Sequence, residues 1–213
     1  MILLFLTCAV PEPAVESPML VPLSDARLLR RLSLDLRGVT PSVTELAAVE
    51  ADPAAVDTLR DTFLDDPRLE DRIVSFWAER YKTKIDEFQV RYYDYQLPVD
   101  QECAFERAVG EEPLRLIAHV AMQDRPWAEV ATANYTMSNE LLGSLWPIDF
   151  PDGQTGWQAS TYTDGRPAAG VLATNGLWMR YYTSQSNANR SRAASLADLL
   201  LCVDYLERPV TFS

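Results

Sequence analysis

Side chains able to recognise or transform a ligand gather in the last third of the chain. Asp164-Gly-Arg166 is followed by Ser184-Gln-Ser-Asn187-Ala-Asn189-Arg190, a stretch dense in hydrogen-bonding groups between two apolar segments. Arg190 carries the planar fork that suits a carboxylate or a propionate-like anion, with Asn187 and Asn189 as a polar wall beside it. A structural interhelix loop is the competing reading, because asparagine caps helices and tolerates left-handed backbone. If the chain binds a specific ligand, the loop from Trp146 to Arg166 and the 187–190 segment are expected to face a common cleft. Asp164, Arg166, Asn187, Asn189 and Arg190 would then be its binding residues. A buried Arg190 would need Asp164 or Asp149 as a partner, since an unpaired buried charge is costly.

Other chemistry is narrowed by what the chain lacks. Its one histidine, His119, excludes a two-histidine metal site, a histidine–carboxylate facial triad and the zinc-protease helix. No metal site is expected, and His119, inside the apolar run Pro113–Met122, reads as a core or half-buried structural residue. Asp149-Phe-Pro-Asp152-Gly153-Gln-Thr155 offers oxygen ligands around a glycine but lacks the spacing and closing glutamate of a calcium loop, which favours an aspartate-stabilised turn. The paired acids Glu111-Glu112 and Asp65-Asp66 read as helix N-terminal charge, with nothing nearby in sequence to split their pKa values. The aromatic clusters Arg91–Tyr95 and Trp178–Tyr182 could stack on a sugar, but anchors bracing loops on the core are the simpler reading. No catalytic residue is assigned. Glycosidase-type chemistry needs only two suitably spaced carboxylates, so an enzyme stays in view.

The balance of 19 basic against 31 acidic residues gives a net charge of −12, a surface that repels phosphate backbones and argues against nucleic-acid binding. Arg27, Arg30, Arg31 and Arg37 form the densest basic run, which reads as a solvated or acid-paired helix face because Asp25 and Asp35 lie close by. Hydrophobic content of 47% is too high for a disordered chain and suits a packed core.

Met1-Ile-Leu-Leu-Phe-Leu-Thr-Cys8 followed by Ala-Val-Pro-Glu-Pro has the order of a bacterial lipoprotein signal: apolar run, small residue, cysteine, proline-rich tether. Export and a lipid on Cys8 are therefore expected, with residues 1–22 as signal and tether and 23–213 as a helical domain. That predicts a lipid-anchored protein of the periplasm or outer membrane. Cys103 and Cys202 have no CxxC spacing. Either they pair in an oxidising compartment, or Cys202 is a buried free thiol continuing the leucine-rich face of Leu196, Leu199 and Leu200.

These residues must be positioned by helices. Thr40-Pro41, Asp52-Pro53, Asp66-Pro67 and Glu112-Pro113 each fit a cap followed by proline at the first helical position. The spacing predicts helices over 24–36, 41–50, 53–64, 67–83, 100–109, 113–123, 126–133, 138–145, 168–182 and 191–207. In 67–83, Leu69, Ile73, Phe76, Trp77 and Tyr81 share one face, a stripe expected in the core. Between Trp146 and Arg166 the prolines and glycines break helices, and Trp157–Tyr162 alternates like a short strand. The expected fold is mainly α, an irregular helical single domain with a small loop or β-ribbon insertion around 146–166.

Three segments carry a family resemblance: Arg30-Arg-Leu-Ser-Leu-Asp-Leu-Arg-Gly-Val-Thr-Pro-Ser-Val-Thr-Glu-Leu46; Asp124-Arg-Pro-Trp-Ala-Glu-Val-Ala-Thr-Ala-Asn-Tyr-Thr-Met-Ser-Asn139; and Gly165-Arg-Pro-Ala-Ala-Gly-Val-Leu-Ala-Thr174 with Asn189-Arg-Ser-Arg-Ala through Leu-Leu-Cys202. In order and spacing they resemble exported bacterial domains of unknown function, of planctomycete and myxobacterial type, often fused or adjacent to c-type cytochrome segments. The resemblance implies an exported, mainly helical protein concerned with surface-associated redox or polymer metabolism, and it transfers no catalytic residue. Relatives continue past the Leu-Leu-Cys helix to a Cys-x-x-Cys-His haem attachment. That motif is missing here, so no cofactor is expected in this chain, haem would reside on a partner, and a truncated or split member is expected.

Two function classes follow. The first is an exported, membrane-tethered binding or structural subunit that docks a protein partner such as a cytochrome. The second is a fragment of a carbohydrate- or small-anion-acting enzyme using carboxylates and tyrosines in the 146–190 region. Convergent acids in a concave pocket would favour the enzyme, and an exposed apolar patch the docking module.

Overall fold

The computed structural model describes residues 22–84, 90, 92–183, 186 and 189–205. Within them the fold is mainly helical with a small antiparallel sheet. The elements run α1 (Asp25–Arg37), α2 (Val43–Ala51), α3 (Ala55–Leu64), α4 (Arg68–Tyr81), α5 (Glu102–Met122), α6 (Glu129–Thr132), β1 (Thr136–Ser138), α7 (Glu140–Leu145), β2 (Ile148–Asp149), β3 (Gln158–Tyr162), α8 (Asn175–Arg180) and α9 (Arg190–Leu201). Short 3-10 turns at Tyr92–Tyr95, Val99–Gln101 and Gly170–Ala173 link them. The predicted ribbon exists as β2 and β3, but β3 is central, because β1 pairs with its other edge through Thr136–Ser160 and Ser138–Gln158. Three residues of Thr-Met-Ser are too short a run to announce a strand without the partner that completes their hydrogen bonds.

The capping chemistry is local, though shifted by a residue or two. Ser42, not Thr40, caps α2: its hydroxyl accepts from the Glu45 amide, and the Glu45 carboxylate accepts from the Ser42 amide. Asp52 accepts from the Ala54 amide and Asp66 from the Arg68 amide, so both aspartates serve the proline-flagged starts. Gly38, at φ 72, ends α1 in left-handed backbone, and its amide returns to the Leu34 carbonyl.

Two predicted helices are one. Glu112-Pro113 does not open a helix; it sits in the middle of the 21-residue α5. Proline there removes one backbone donor and normally bends or breaks a helix. Tertiary burial overrides this: from Ala108 to Val120 the helix is buried apart from Arg115 and His119, packed by α4 on one side and by β1, α7 and α8 on others. Each fully buried leucine or isoleucine among Leu114, Leu116 and Ile117 contributes about 1.5–3 kcal/mol.

Three apolar clusters result. Leu29, Val49, Val56 and Phe63 hold α1–α3 together; Val74, Ala78 and Tyr81 of α4 meet Leu114, Ile117, Leu177 and Leu199; Phe105, Val109, Leu142 and Trp146 pack α5 on α7. The predicted α4 stripe is corrected at one position. Phe76 is 72% exposed, because the buried face centres on Val74, Ala78 and Tyr81 instead. The segment predicted as a helix over 168–182 divides into a 3-10 turn and α8 at Thr174. Helix α9 stops at Leu201. Cys202 follows in left-handed backbone (φ 54), which turns its thiol out of the leucine face, so Cys103 and Cys202 are both exposed and free. Cys8, Asn187 and the predicted end of the last helix beyond 205 lie outside the described residues.

Candidate functional site

Pro113 has no N–H for the Val109 carbonyl, and at that gap in its ladder α5 receives the start of α8. A Cβ on Gly176 would lie 2.0 Å from the Val109 oxygen and 3.0 Å from Pro113 Cδ, so only glycine fits. The close approach aims the Gly176 amide at Glu112 Oε2 (3.0 Å). Glu112 is 0% exposed. Its Oε1 accepts from Thr136 Oγ1 of β1 at 2.9 Å and from the Tyr162 hydroxyl of β3 at 2.5 Å. One carboxyl thus joins α5, the outer strand β1, the central strand β3 and α8.

Burial pushes Glu112 up to about 7, with the Tyr162, Gly176 and Thr136 bonds and the Arg166 charge pulling the other way. Burial and the adjoining carboxyl also push the Tyr162 phenol up. The reading of Glu111-Glu112 as helix N-terminal charge is therefore corrected. Glu112 is an internal carboxyl, and Glu111 pairs with Lys84 (2.5 Å) and Arg115 (2.8 Å) in a cluster that Glu70 and Asp71 complete.

On the outer side of Tyr162 lies a pocket of about 230 Å³ lined by Asn134, Tyr135, Tyr162, Arg166, Pro167 and Ala173 among others. Arg166 stacks over the Tyr162 ring, its guanidinium carbon 3.5 Å from the centroid. Its Nε and Nη2 donate to Asp164, and its Nη1 donates to the Ala173 carbonyl (2.6 Å) and Asn175 Oδ1 (3.0 Å). Of the predicted binding residues, Arg166 thus lines the pocket with Asp164 bonded to it, and most of the guanidinium's hydrogen-bonding capacity is spent on Asp164 and the turn into α8. Asp164 is held below the usual carboxylate range by that guanidinium.

Asn189 and Arg190 do not line this pocket. Asn189 opens α9 in left-handed backbone (φ 68), its amide bonded to Thr183 Oγ1, and Arg190 is the exposed first residue of the helix. Helix α9 is held elsewhere, by Arg80–Asp198 across to α4 and by Arg192 Nε to the Tyr181 carbonyl (2.6 Å). Trp178, Tyr181 and Tyr95 of the aromatic clusters brace the core: Trp178 Nε1 donates to the Leu172 carbonyl, the Tyr181 hydroxyl to the Tyr81 carbonyl, and Tyr95 packs on Phe105, whereas Tyr182 is exposed. His119 is half-buried edge-on to Tyr135, and desolvation with the Arg125 charge holds it below its usual range.

The Asp149–Gln154 turn and Glu140 form a shallow acidic depression. Glu140 accepts from the Gly156 amide and is lowered by it and by its own amide. No group of metal-binding side chains occurs among the described residues.

A second surface feature is aromatic. Trp77 packs edge-on against Phe76 and, at 5.5 Å and 33°, against Trp127 of the loop before α6. Phe76 and Trp127 are 72% and 53% exposed, so these two rings, bridged by the partly buried Trp77, present an apolar face to solvent.

Residues 16–97 match the model of a family described as PSCyt2, a protein of unknown function (DUF1549). That match covers less than half of the chain: α1 to α4 and the first of the three resembling segments, leaving α5 and the pocket outside it. No curated protein and no solved structure matches the chain. No helix among the described residues is long and apolar enough to cross a membrane.

Sequence reasoning missed Glu112, Thr136 and Tyr162. A signal for the first was present: Glu112 lies in Ala108–Val120, whose residues are otherwise mostly apolar, where a helical wheel drawn through Pro113 turns it inward.

Proposed function

We propose that this chain is an exported, membrane-tethered subunit with a binding or structural role, docking a protein partner within a surface complex that includes a c-type cytochrome. The observation that carries the docking role is the exposed Phe76–Trp77–Trp127 face. Tryptophan and phenylalanine give up large apolar area at little entropic cost and form the energetic centres of protein interfaces. Export and tethering rest on the signal-like order that ends at Cys8, and the cytochrome setting on the family resemblance.

The enzyme reading has less support. No carboxylate lines the Tyr162 pocket, whose tyrosine gives its hydroxyl inward to Glu112. In the acidic depression Glu140 is lowered, the wrong direction for the proton donor that glycoside cleavage needs.

The test is affinity capture from native membranes, with haem staining and mass spectrometry of what is retained. The double variant Phe76→Ser, Trp127→Ser is expected to weaken capture by about 2 kcal/mol or more, roughly thirtyfold. Stability should stay within about 1 kcal/mol, because both side chains are exposed. Undiminished capture by this variant sinks the docking face; retention of a partner without covalent haem sinks the cytochrome assignment. Intact Met1 in the native protein would remove the lipid anchor.

A further inference from the structure

We propose that the groove between α1 and α2 is a further docking site, made of other residues than the aromatic face, and that it takes an acidic, partly apolar peptide segment of a partner protein. A groove of about 500 Å³ is lined there by Ala26, Arg27, Arg30, Thr40, Pro41 and Leu46. Its apolar part is the deeper one, since Pro41 is buried and Leu46 half-buried. Above it stand two guanidinium groups and the Thr40 hydroxyl. Val43, one turn before Leu46 on α2, is 84% exposed and continues the apolar surface past the groove.

The cations of this groove are unspent. The side chains of Arg27, Arg30 and Thr40 make no hydrogen bond or ion pair with any other described residue. The acids close to them in sequence do not neutralise them: Asp35 is held by Arg31 at 2.5 Å, and Asp25 pairs with neither arginine. Arg37, on the same helix, is paired with Glu45. The solvated or acid-paired reading of the arginine run therefore accounts for Arg31 and Arg37 and leaves two neighbouring cations over an apolar floor. No carboxylate lines the groove. In a chain of net charge −12 it is a local site of the opposite sign.

The chemistry selects the occupant. Guanidinium groups one helical turn apart match two carboxylates at similar separation, which a peptide supplies from acids three or four apart on a helix or two apart on a strand. An apolar side chain beside those acids would cover Pro41 and Leu46. A free small molecule fits less well. Ala26, Arg27, Arg30 and Thr40 are all exposed, whereas small-molecule sites bury roughly 70–90% of their ligand. An extended array of phosphates, on a nucleic acid or a membrane, would meet the surrounding negative charge as soon as it passed the two arginines.

Selection from a random peptide library displayed on phage, with the full chain as bait, is expected to enrich peptides that carry two such carboxylates beside a leucine, isoleucine or phenylalanine. The most enriched peptide, made synthetically, should shift the NMR signals of Arg27, Arg30, Thr40 and Leu46. Arg27→Gln with Arg30→Gln should weaken its binding about tenfold, the effect of losing two exposed charge pairs. The fold should survive, because both side chains are exposed. Phe76→Ser with Trp127→Ser should leave the affinity unchanged, so this site stands or falls separately from the aromatic face. Enrichment of peptides without acids, shifts that map away from the groove, or full affinity in the arginine variant would each overturn the site. Octanoate binding as tightly as the peptide would make it a small-molecule site instead, and arginine-dependent retention on phosphatidylglycerol vesicles without peptide binding would make it a membrane contact; either result overturns the proposal.

Discussion

Gly176→Ala is expected to destabilise the protein by about 3 kcal/mol or more, beyond the usual cost of overpacking, because the new methyl meets backbone rather than a flexible side chain. The Cβ would stand 2.0 Å from the Val109 carbonyl, and neither α5 nor α8 can yield alone. Helix α5 is buried on nearly all sides there, and α8 carries Leu177 into the same core. If α8 moves away, the Gly176 amide leaves Glu112 as well, so one methyl disturbs both packing and the buried carboxyl. Gly153→Ala is the control: its Cβ meets nothing, and only its positive φ of 70 resists the change, at about 1 kcal/mol. Urea denaturation of the two variants measures the contrast. Equal losses would show that the α5–α8 approach is not the constraint the geometry describes.

Arg37→Ala is the second large effect, about 3 kcal/mol. The Arg37 side chain is only 8% exposed, and its guanidinium lies 3.5 Å from the centroid of the fully buried Phe63. It donates to both oxygens of Glu45 (2.8 and 3.0 Å) and to Ser33 Oγ, which in turn donates to the Val39 carbonyl. Removing it leaves a half-buried carboxylate and a buried hydroxyl short of partners, which is the destabilising way to break such a pair. Arg37→Lys is expected to recover little, since a single ammonium cannot serve both oxygens and the ring face.

The pH dependence separates this site from Glu112. Arg37 holds Glu45 at about 2, below its ordinary 4.5, so this contribution is present above about 4.5 and lost as pH falls toward 2. Glu112 acts with the opposite sign, losing stability as pH rises from about 4.5 to 7. Arg37→Ala should flatten the acid limb of the stability profile and leave the neutral limb intact; Glu112→Gln should do the reverse. A profile unchanged in Arg37→Ala would mean that Glu45 is not held by it.

The arginine run that includes Arg37 shows how far spacing reaches. Arg31 pairs with Asp35 on an exposed face, as i, i+4 geometry predicts. Arg37 continues the same run in sequence yet is buried, because α2 and α3 close over that end of α1 and bring Glu45 and Phe63 to it. Phe76 errs in the opposite sense. It belongs to the apolar stripe by periodicity, but the partner helix meets α4 a few tens of degrees around, and the ring is left outside.

What the sequence determined by itself is what depends on neighbours within a few residues. Helix starts beside the proline-flagged aspartates, the mainly helical class and the strand near Trp157–Tyr162 were legible there, because caps and turns are local hydrogen-bond chemistry. Tertiary structure alone decided that α5 runs unbroken through Pro113, that β1 joins the sheet, that Phe76 faces solvent, and that Glu112 is buried beneath Tyr162 and Gly176. These four outcomes depend on residues 20 to 64 positions apart, whose meeting is fixed by which faces the whole chain can bury together, and no local pattern records that choice.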